Sequence, residues 1–310
     1  MQPDCGRILV IRGGAIGDFI LTLPAIAALR KQFPDVHLEV LGYPHIVQLA
    51  IAGNLVDRVR SIDARPLAGF FARNGELAPE LTGYFSEFHL IVSYLFDPDK
   101  IFRTNIARCS KAQFIAGPHR PDESEELHAS AAYLKPLERL AIFDADPFPR
   151  LRVQGRLTMN GPCLALHPGS GSERKNWPEA NWAEFIEHLV GRTALNILLV
   201  GGEAEGDRLR RLAATIPPDR VLLAQSLPLV EVAGLLASCS GFVGHDSGIS
   251  HIAGALGVPA LVLWGDTAEH VWRPPQEQVR ILRSPRGLAG ITTNEVVREV
   301  EQMLALSRTT

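Results

Sequence analysis

The sequence predicts an α/β protein built from two doubly wound parallel sheets, and three observations lead there. The chain has 310 residues, twice the roughly 150 of an ordinary domain. Short β-branched runs alternate with stretches of helical periodicity, the grammar of a parallel sheet covered on both faces. That grammar breaks once, at 144–150 (DADPFPR) and the following LRVQGRLTMNGP, and then restarts. Such an irregular, proline-bearing stretch marks a domain boundary. The expected domains are 1–152 and 153–310, with the terminal helix free to pack back on the first.

In the first half, Arg7 to Arg12 (RILVIR) reads as a strand and GGAIGD as a turn. Phe19 to Gln32 reads as a helix, with Ile20, Leu23, Ile26, Ala27 and Leu29 at helical spacing. Pro24 removes a helical donor, so a kink or break is expected one turn earlier. Strands follow at His37 to Leu41, Arg58 to Ser61 and Leu90 to Leu95. In the second half, strands are expected at Cys163 to His167, Asn196 to Val200, Val221 to Leu223, Gly241 to Val243 and Ala260 to Leu263. Helices are clearest at Trp182 to Val190 and Thr293 to Leu306.

Composition excludes several classes. Hydrophobic residues at 46% and charged residues at 21% rule out general disorder. The net charge of −3 does not suit a nucleic-acid partner. Arginine outnumbers lysine 26 to 5; arginine is the better fork for phosphate or carboxylate, although genomic base composition gives the same skew. Cys5, Cys109, Cys163 and Cys239 are far apart in sequence, without a C-x-x-C pair. That favours reduced thiols in a cytosolic protein over a zinc site or a disulfide framework. The N-terminus lacks a secretory pattern, and no apolar run approaches the ~18 residues of a membrane span. A soluble protein, at most peripheral to a membrane, is expected.

Ligands of open α/β sheets bind beyond the carboxyl ends of strands, which singles out three loops. In Gly13-Gly14-Ala15-Ile16-Gly17-Asp18, glycines admit a ligand close to the backbone and the next helix offers free N–H groups. The loop is not G-x-G-x-x-G, so it is a weak dinucleotide signal. Asp18 is either a first-turn acid favoured by the helix dipole or a catalytic base that works by geometry. In the second loop, residues 167–178, Ser170, Ser172 and Lys175 could cradle a diphosphate, or the serines and glycines simply make turns. Trp177 reads as packing.

The third loop, GHDSGISHIAGALGVP at 244–259, ends a strand and opens a short helix capped by Asp246 or Ser247. The Ser247 and Gly248 amides then form an anion site. His245, Asp246 and His251 match no strong metal motif, and Ser247 and Ser250 lack a nucleophile elbow. Glu205 follows another strand end, where it either holds a ribose diol or is a solvated first-turn acid. Arg58, Arg60, His119 and Arg120 form either a basic acceptor pocket or ordinary surface charge.

Together these ordered motifs resemble the heptosyltransferase family, glycosyltransferase family 9, of lipopolysaccharide core synthesis. The resemblance runs through Ile8 to Pro34, Leu164 to Ile186, Leu198 to Glu205 and Gly244 to Gly265, about a quarter of the chain. Its specific strings are G-D-x-x-x-x-L-P, from Gly17, and D-[ST]-G-x-x-H, from Asp246. The resemblance implies a GT-B fold, with the acceptor on the first Rossmann-like domain and the nucleotide sugar on the second. It implies inverting, metal-independent transfer of a heptose from ADP-heptose to a lipid-linked oligosaccharide, with no cofactor. Asp18 would be the base, and Lys175, Ser170 or Ser172 and the Ser247 and Gly248 amides would stabilise the leaving diphosphate. Glu205 would hold the ribose, Asp246 and His251 would shape the donor pocket, and Gly14, Arg60 and Arg120 would meet the acceptor.

A lipid-linked acceptor implies a cytoplasmic protein at the inner face of the cytoplasmic membrane, touching it through loops such as Phe70-Phe71-Ala72-Arg73. GGAIGD and HPGSGSERK carry mostly glycine and serine at positions that are hydroxyl-rich and variable in the family, which leaves the donor phosphate contacts open residue by residue; a family 9 enzyme using another nucleotide sugar is a separate alternative. A nucleotide-sugar-binding protein or epimerase on the same plan, and a nicotinamide-dependent oxidoreductase, are the readings from other classes.

Overall fold

The computed structural model describes residues 6–156, 159–171, 175–203 and 205–306. The chain divides between Pro149 and Arg150 into two units. The first contains β1 (Arg7–Arg12), α1 (Ile16–Gln32), β2 (His37–Gly42), α2 (Pro44–Ala52), β3 (Arg58–Ser61), α3 (Pro79–Ser86), β4 (Leu90–Ser93), α4 (Ile101–Ala107), β5 (Gln113–Ala116) and α5 (Ala129–Leu134). Its strands are parallel in the order β3-β2-β1-β4-β5. β1 is central, and its Leu9, Val10 and Ile11 are fully buried, as a strand covered on both faces requires. Strand order reverses between β1 and β4, so the loop after β1 and the first turn of α1, which carries Asp18, sit at the topological switch point where such sheets bind ligands.

The second unit contains β6 (Cys163–Leu166), α6 (Glu179–Arg192), β7 (Asn196–Gly201), α7 (Gly206–Ala213), β8 (Val221–Gln225), α8 (Leu229–Leu236), β9 (Gly241–His245), α9 (Gly248–Ala255), β10 (Ala260–Leu263), α10 (Glu269–Trp272), β11 (Val279–Leu282) and α11 (Thr293–Leu306). Its parallel sheet has the order β11-β10-β9-β6-β7-β8. Here the switch point lies between β6 and β9. The loops that follow those two strands are the second and third loops singled out in the sequence.

Three expectations are corrected. α1 starts three residues earlier than its apolar periodicity and runs unbroken through Pro24. Residues 19–26 are all buried, and packing on every side holds the turn despite the missing donor. β4 ends at Ser93, two residues early. The edge strands β5 and β11 escaped the sequence reading, being four-residue strands with broken burial patterns.

α11 lies against α6, β9 and β10 and places Val296, Val300 and Met303 in the second unit's own core. That core also holds Trp177, Trp182 and Phe185 in edge-on contact. Cys163 and Cys239, distant in sequence, are both buried and unbridged.

Candidate active site

In the first unit the site is organised by Arg12, the last residue of β1, which is only 3% exposed. A buried guanidinium is destabilising unless its donors and charge are met. It donates to the Tyr133 hydroxyl at 2.8 Å, the His119 carbonyl at 2.8 Å and the Asp18 carbonyl at 3.3 Å. It also lies 4.5 Å from the centre of the Tyr133 ring and 3.4 Å from Asp18 Oδ1.

The other carboxylate oxygen of Asp18 accepts the Ala15 N–H at 2.9 Å, the reach-back half of a capping box. Asp18 is thus a helix-capping acid by geometry, and its side chain remains 27% exposed to solvent. The cap and Arg12 together fix its orientation. Gly14 has φ +99°, and a Cβ there would stand 2.8 Å from Asp18 Oδ2. Its absence of side chain makes room for the carboxylate.

The basic acceptor pocket is not gathered by the sheet. Arg60, on edge strand β3, pairs with Glu80 and stacks 4.5 Å over Tyr84. Arg120 follows the opposite edge strand β5 and pairs with Glu123 at 2.6 Å. Arg58 is exposed on β3. His119 turns its ring to Phe96.

In the second unit, residues remote in sequence converge. Lys175 Nζ lies 2.8 Å from Asp246 Oδ2, joining the loops after β6 and β9. Glu205 accepts the Gly202 N–H at 2.9 Å, and its side chain lies over Gly169, where a Cβ would collide with it. Ser170 donates to Asn176 at 2.7 Å; Ser172 lies outside the described residues. Ser247 is the N-cap residue of α9, but its hydroxyl makes no capping bond. It faces His167 Nδ1 at 3.3 Å and Ser250 Oγ at 3.4 Å instead. The first amides of α9 therefore lack a side-chain cap, which suits an anion. His251 is buried within α9.

Sequence reasoning gave His245 no role. It is fully buried, accepts the Trp177 N–H at Nε2 (2.8 Å) and donates from Nδ1 to the Gly169 carbonyl (3.3 Å). Burial lowers its pKa to about 3, and that of His167 to about 4, so both rings are neutral at physiological pH. One imidazole thus pins both ends of the 169–177 loop that presents Lys175. The only sequence signal was its position at the end of a strand.

Among the described residues, no group of three His, Cys, Asp or Glu side chains is placed to hold a metal ion. The second unit's loops supply a cation, helix amides and two carboxylates around one switch point, an arrangement suited to an anionic group attached to hydroxyl-rich chemistry.

A family model described as glycosyltransferase family 9 (heptosyltransferase) matches residues 125–296. The chain belongs to glycosyltransferase family 9. The matched segment contains the loops after β6, β7 and β9, whereas Asp18 lies before it. A lipopolysaccharide heptosyltransferase 1 from Pseudomonas aeruginosa is 27% identical over 295 residues, covering 84% of this chain and 79% of the relative.

Solved structures share the GT-B fold. A family 9 glycosyltransferase from Veillonella parvula has a TM-score of 0.79 at 19% identity and covers 98% of this chain and 99% of its own. The E. coli heptosyltransferase WaaC with ADP-2-deoxy-2-fluoro heptose has a TM-score of 0.73 at 20% identity, covering 96% and 99%. As a family 9 member, the chain is a glycosyltransferase.

Proposed function

We propose that this glycosyltransferase transfers a heptose from ADP-heptose to the inner core of a lipid-linked lipopolysaccharide acceptor, with inversion at the anomeric carbon. The observation that carries the donor side is the pairing of Lys175 with Asp246 beside the uncapped start of α9. The relatives named as lipopolysaccharide heptosyltransferases support the choice of sugar.

Asp18 takes the proton of the acceptor hydroxyl as that oxygen bonds to the anomeric carbon. The bond from that carbon to the diphosphate oxygen breaks in the same displacement, and ADP leaves with the electron pair. Negative charge develops on the diphosphate. Lys175, the Ser170 hydroxyl and the Ser247 and Gly248 amides meet it, the kind of preorganised electrostatic stabilisation that is usually the largest catalytic contribution. Ser172 would add a second hydroxyl. Glu205 accepts hydrogen bonds from the ribose diol, while Asp246 orients Lys175 and, with His251, shapes the donor pocket. Gly14, Arg60 and Arg120 are proposed on the acceptor side. In this reading the cations and amides do the work of a metal, and no cofactor takes part.

A lipid-linked acceptor places the protein in the cytoplasm, peripheral to the membrane. No helix among the described residues is long and apolar enough to cross one. Of the expected membrane loop, Phe71 is 45% exposed, whereas Phe70 is fully buried.

The test is thermal shift and calorimetry with ADP, ADP-heptose, UDP- and GDP-sugars and NAD, each with and without EDTA. Selective binding of ADP and ADP-heptose, unchanged by EDTA, is expected. Preference for another nucleotide sugar would change the donor and keep the transferase, and binding of NAD alone would overturn the reading.

A further inference from the structure

We infer that Phe96 and His119 form a stacking platform for the apolar face of a sugar ring of the acceptor. This deepens the acceptor side of the proposed function and rests on it. Phe96 follows β4 and is 68% exposed. It is not a loose side chain, because its ring lies 4.6 Å from that of His119, tilted by 59°.

The platform is tied to the candidate base. Arg12 Nη1 donates to the His119 carbonyl at 2.8 Å and reaches the carbonyl of Tyr94, two residues before Phe96, at 3.5 Å. Nη2 of the same guanidinium is 3.4 Å from Asp18 Oδ1. One buried cation therefore holds the two ring-bearing loops and the carboxylate in register. On the other side of Phe96, Asp97 is fixed by accepting the Phe102 and Arg103 N–H groups at 3.1 and 3.0 Å. Both rings stand beyond the carboxyl ends of their strands, β4 and β5, the edge at which this fold class takes ligands.

A pyranose offers a face lined with polarised C–H groups, which an aromatic face accepts. A hydroxyl of a sugar held there is positioned relative to Asp18 through a rigid frame. A lipid surface fits less well. Asp97 and Asp99 stand one and three residues after Phe96, and an anionic leaflet repels them.

The experiment measures transfer from ADP-heptose onto a deacylated, water-soluble inner-core oligosaccharide by the wild type, Phe96→Ala and Phe96→Tyr. Binding of each variant to vesicles of phosphatidylethanolamine and phosphatidylglycerol is measured in parallel. Phe96→Ala is expected to raise the acceptor KM about 10-fold, in the range of aromatic stacking on a planar ligand. Donor KM and kcat should stay within about twofold, and Phe96→Tyr should restore the wild-type KM. An unchanged acceptor KM in Phe96→Ala would overturn the platform while the transferase stands. So would a defect confined to vesicle binding, which would assign the ring to lipid. If the wild type transferred no heptose, the functional reading would fail and the platform with it.

Discussion

Burial sets the protonation of two histidines at the second unit's switch point, with His167 pushed down to about 4 and His245 to about 3. A base whose folded pKa is depressed favours the fold in its neutral form. That stability is complete above the unfolded value near 6.5 and is lost as pH falls through the folded values. Between pH 6.5 and 4 each histidine should cost up to about 1.4 kcal/mol per pH unit. Urea unfolding across that range should show the slope, and His245→Gln should lessen it. A slope unaffected by the substitution would refute the assignment. Lys175 behaves differently. Its side chain is 45% exposed, so its pair with Asp246 should contribute only about 0–1 kcal/mol to stability. Lys175→Ala is expected to leave the melting temperature nearly unchanged and weaken ADP binding about 10-fold, as the loss of one charge-assisted contact would. Calorimetry checks the second outcome and thermal melting the first. Asp18, Lys175, Glu205 and Asp246 stood out in the sequence because each lies in a segment that joins a strand to the next helix or in that helix's first turn. Arg12 and His245 did not, because a buried polar residue at a strand's last position looks like any other until its partners are seen.

The loop between β1 and α1 shows how an element imposes chemistry on a side chain. Gly14 holds φ +99°, and the space where its Cβ would stand is taken by the Asp18 carboxylate. Gly14→Ala should cost about 1–3 kcal/mol in backbone strain. It should also displace the carboxylate enough to lower kcat ~10-fold or more. A variant with wild-type kcat would show that the position of Asp18 is not tied to this turn. The central strands were readable as continuous apolar runs, since both their faces are buried. β5 and β11 were not, because their burial patterns mix exposed and buried positions over only four residues. Pro24 misled for a related reason: local donor loss argues for a break, yet helix α1 is buried along residues 19–26, and tertiary packing prevails.

At the scale of the whole molecule, two copies of one topology carry different side chains at their switch points: a carboxylate held by a buried arginine in one, a lysine paired with an aspartate in the other. The duplication was legible because its grammar stops and restarts around residue 150. The placement of Arg60 and Arg120 at opposite edges of the first sheet was not legible, because sequence distance carries no information on strand order. The central claim is that Asp18 is the base of a heptosyl transfer whose donor is held by the other unit. The most direct measurement is single-turnover transfer from ADP-heptose to a deacylated inner-core oligosaccharide by the wild type and Asp18→Asn, with donor affinity measured alongside. The account predicts a product of inverted anomeric configuration, a rate lower by about 10²–10⁴ in the variant, and equal donor binding by both. Turnover by Asp18→Asn at the wild-type rate would contradict it.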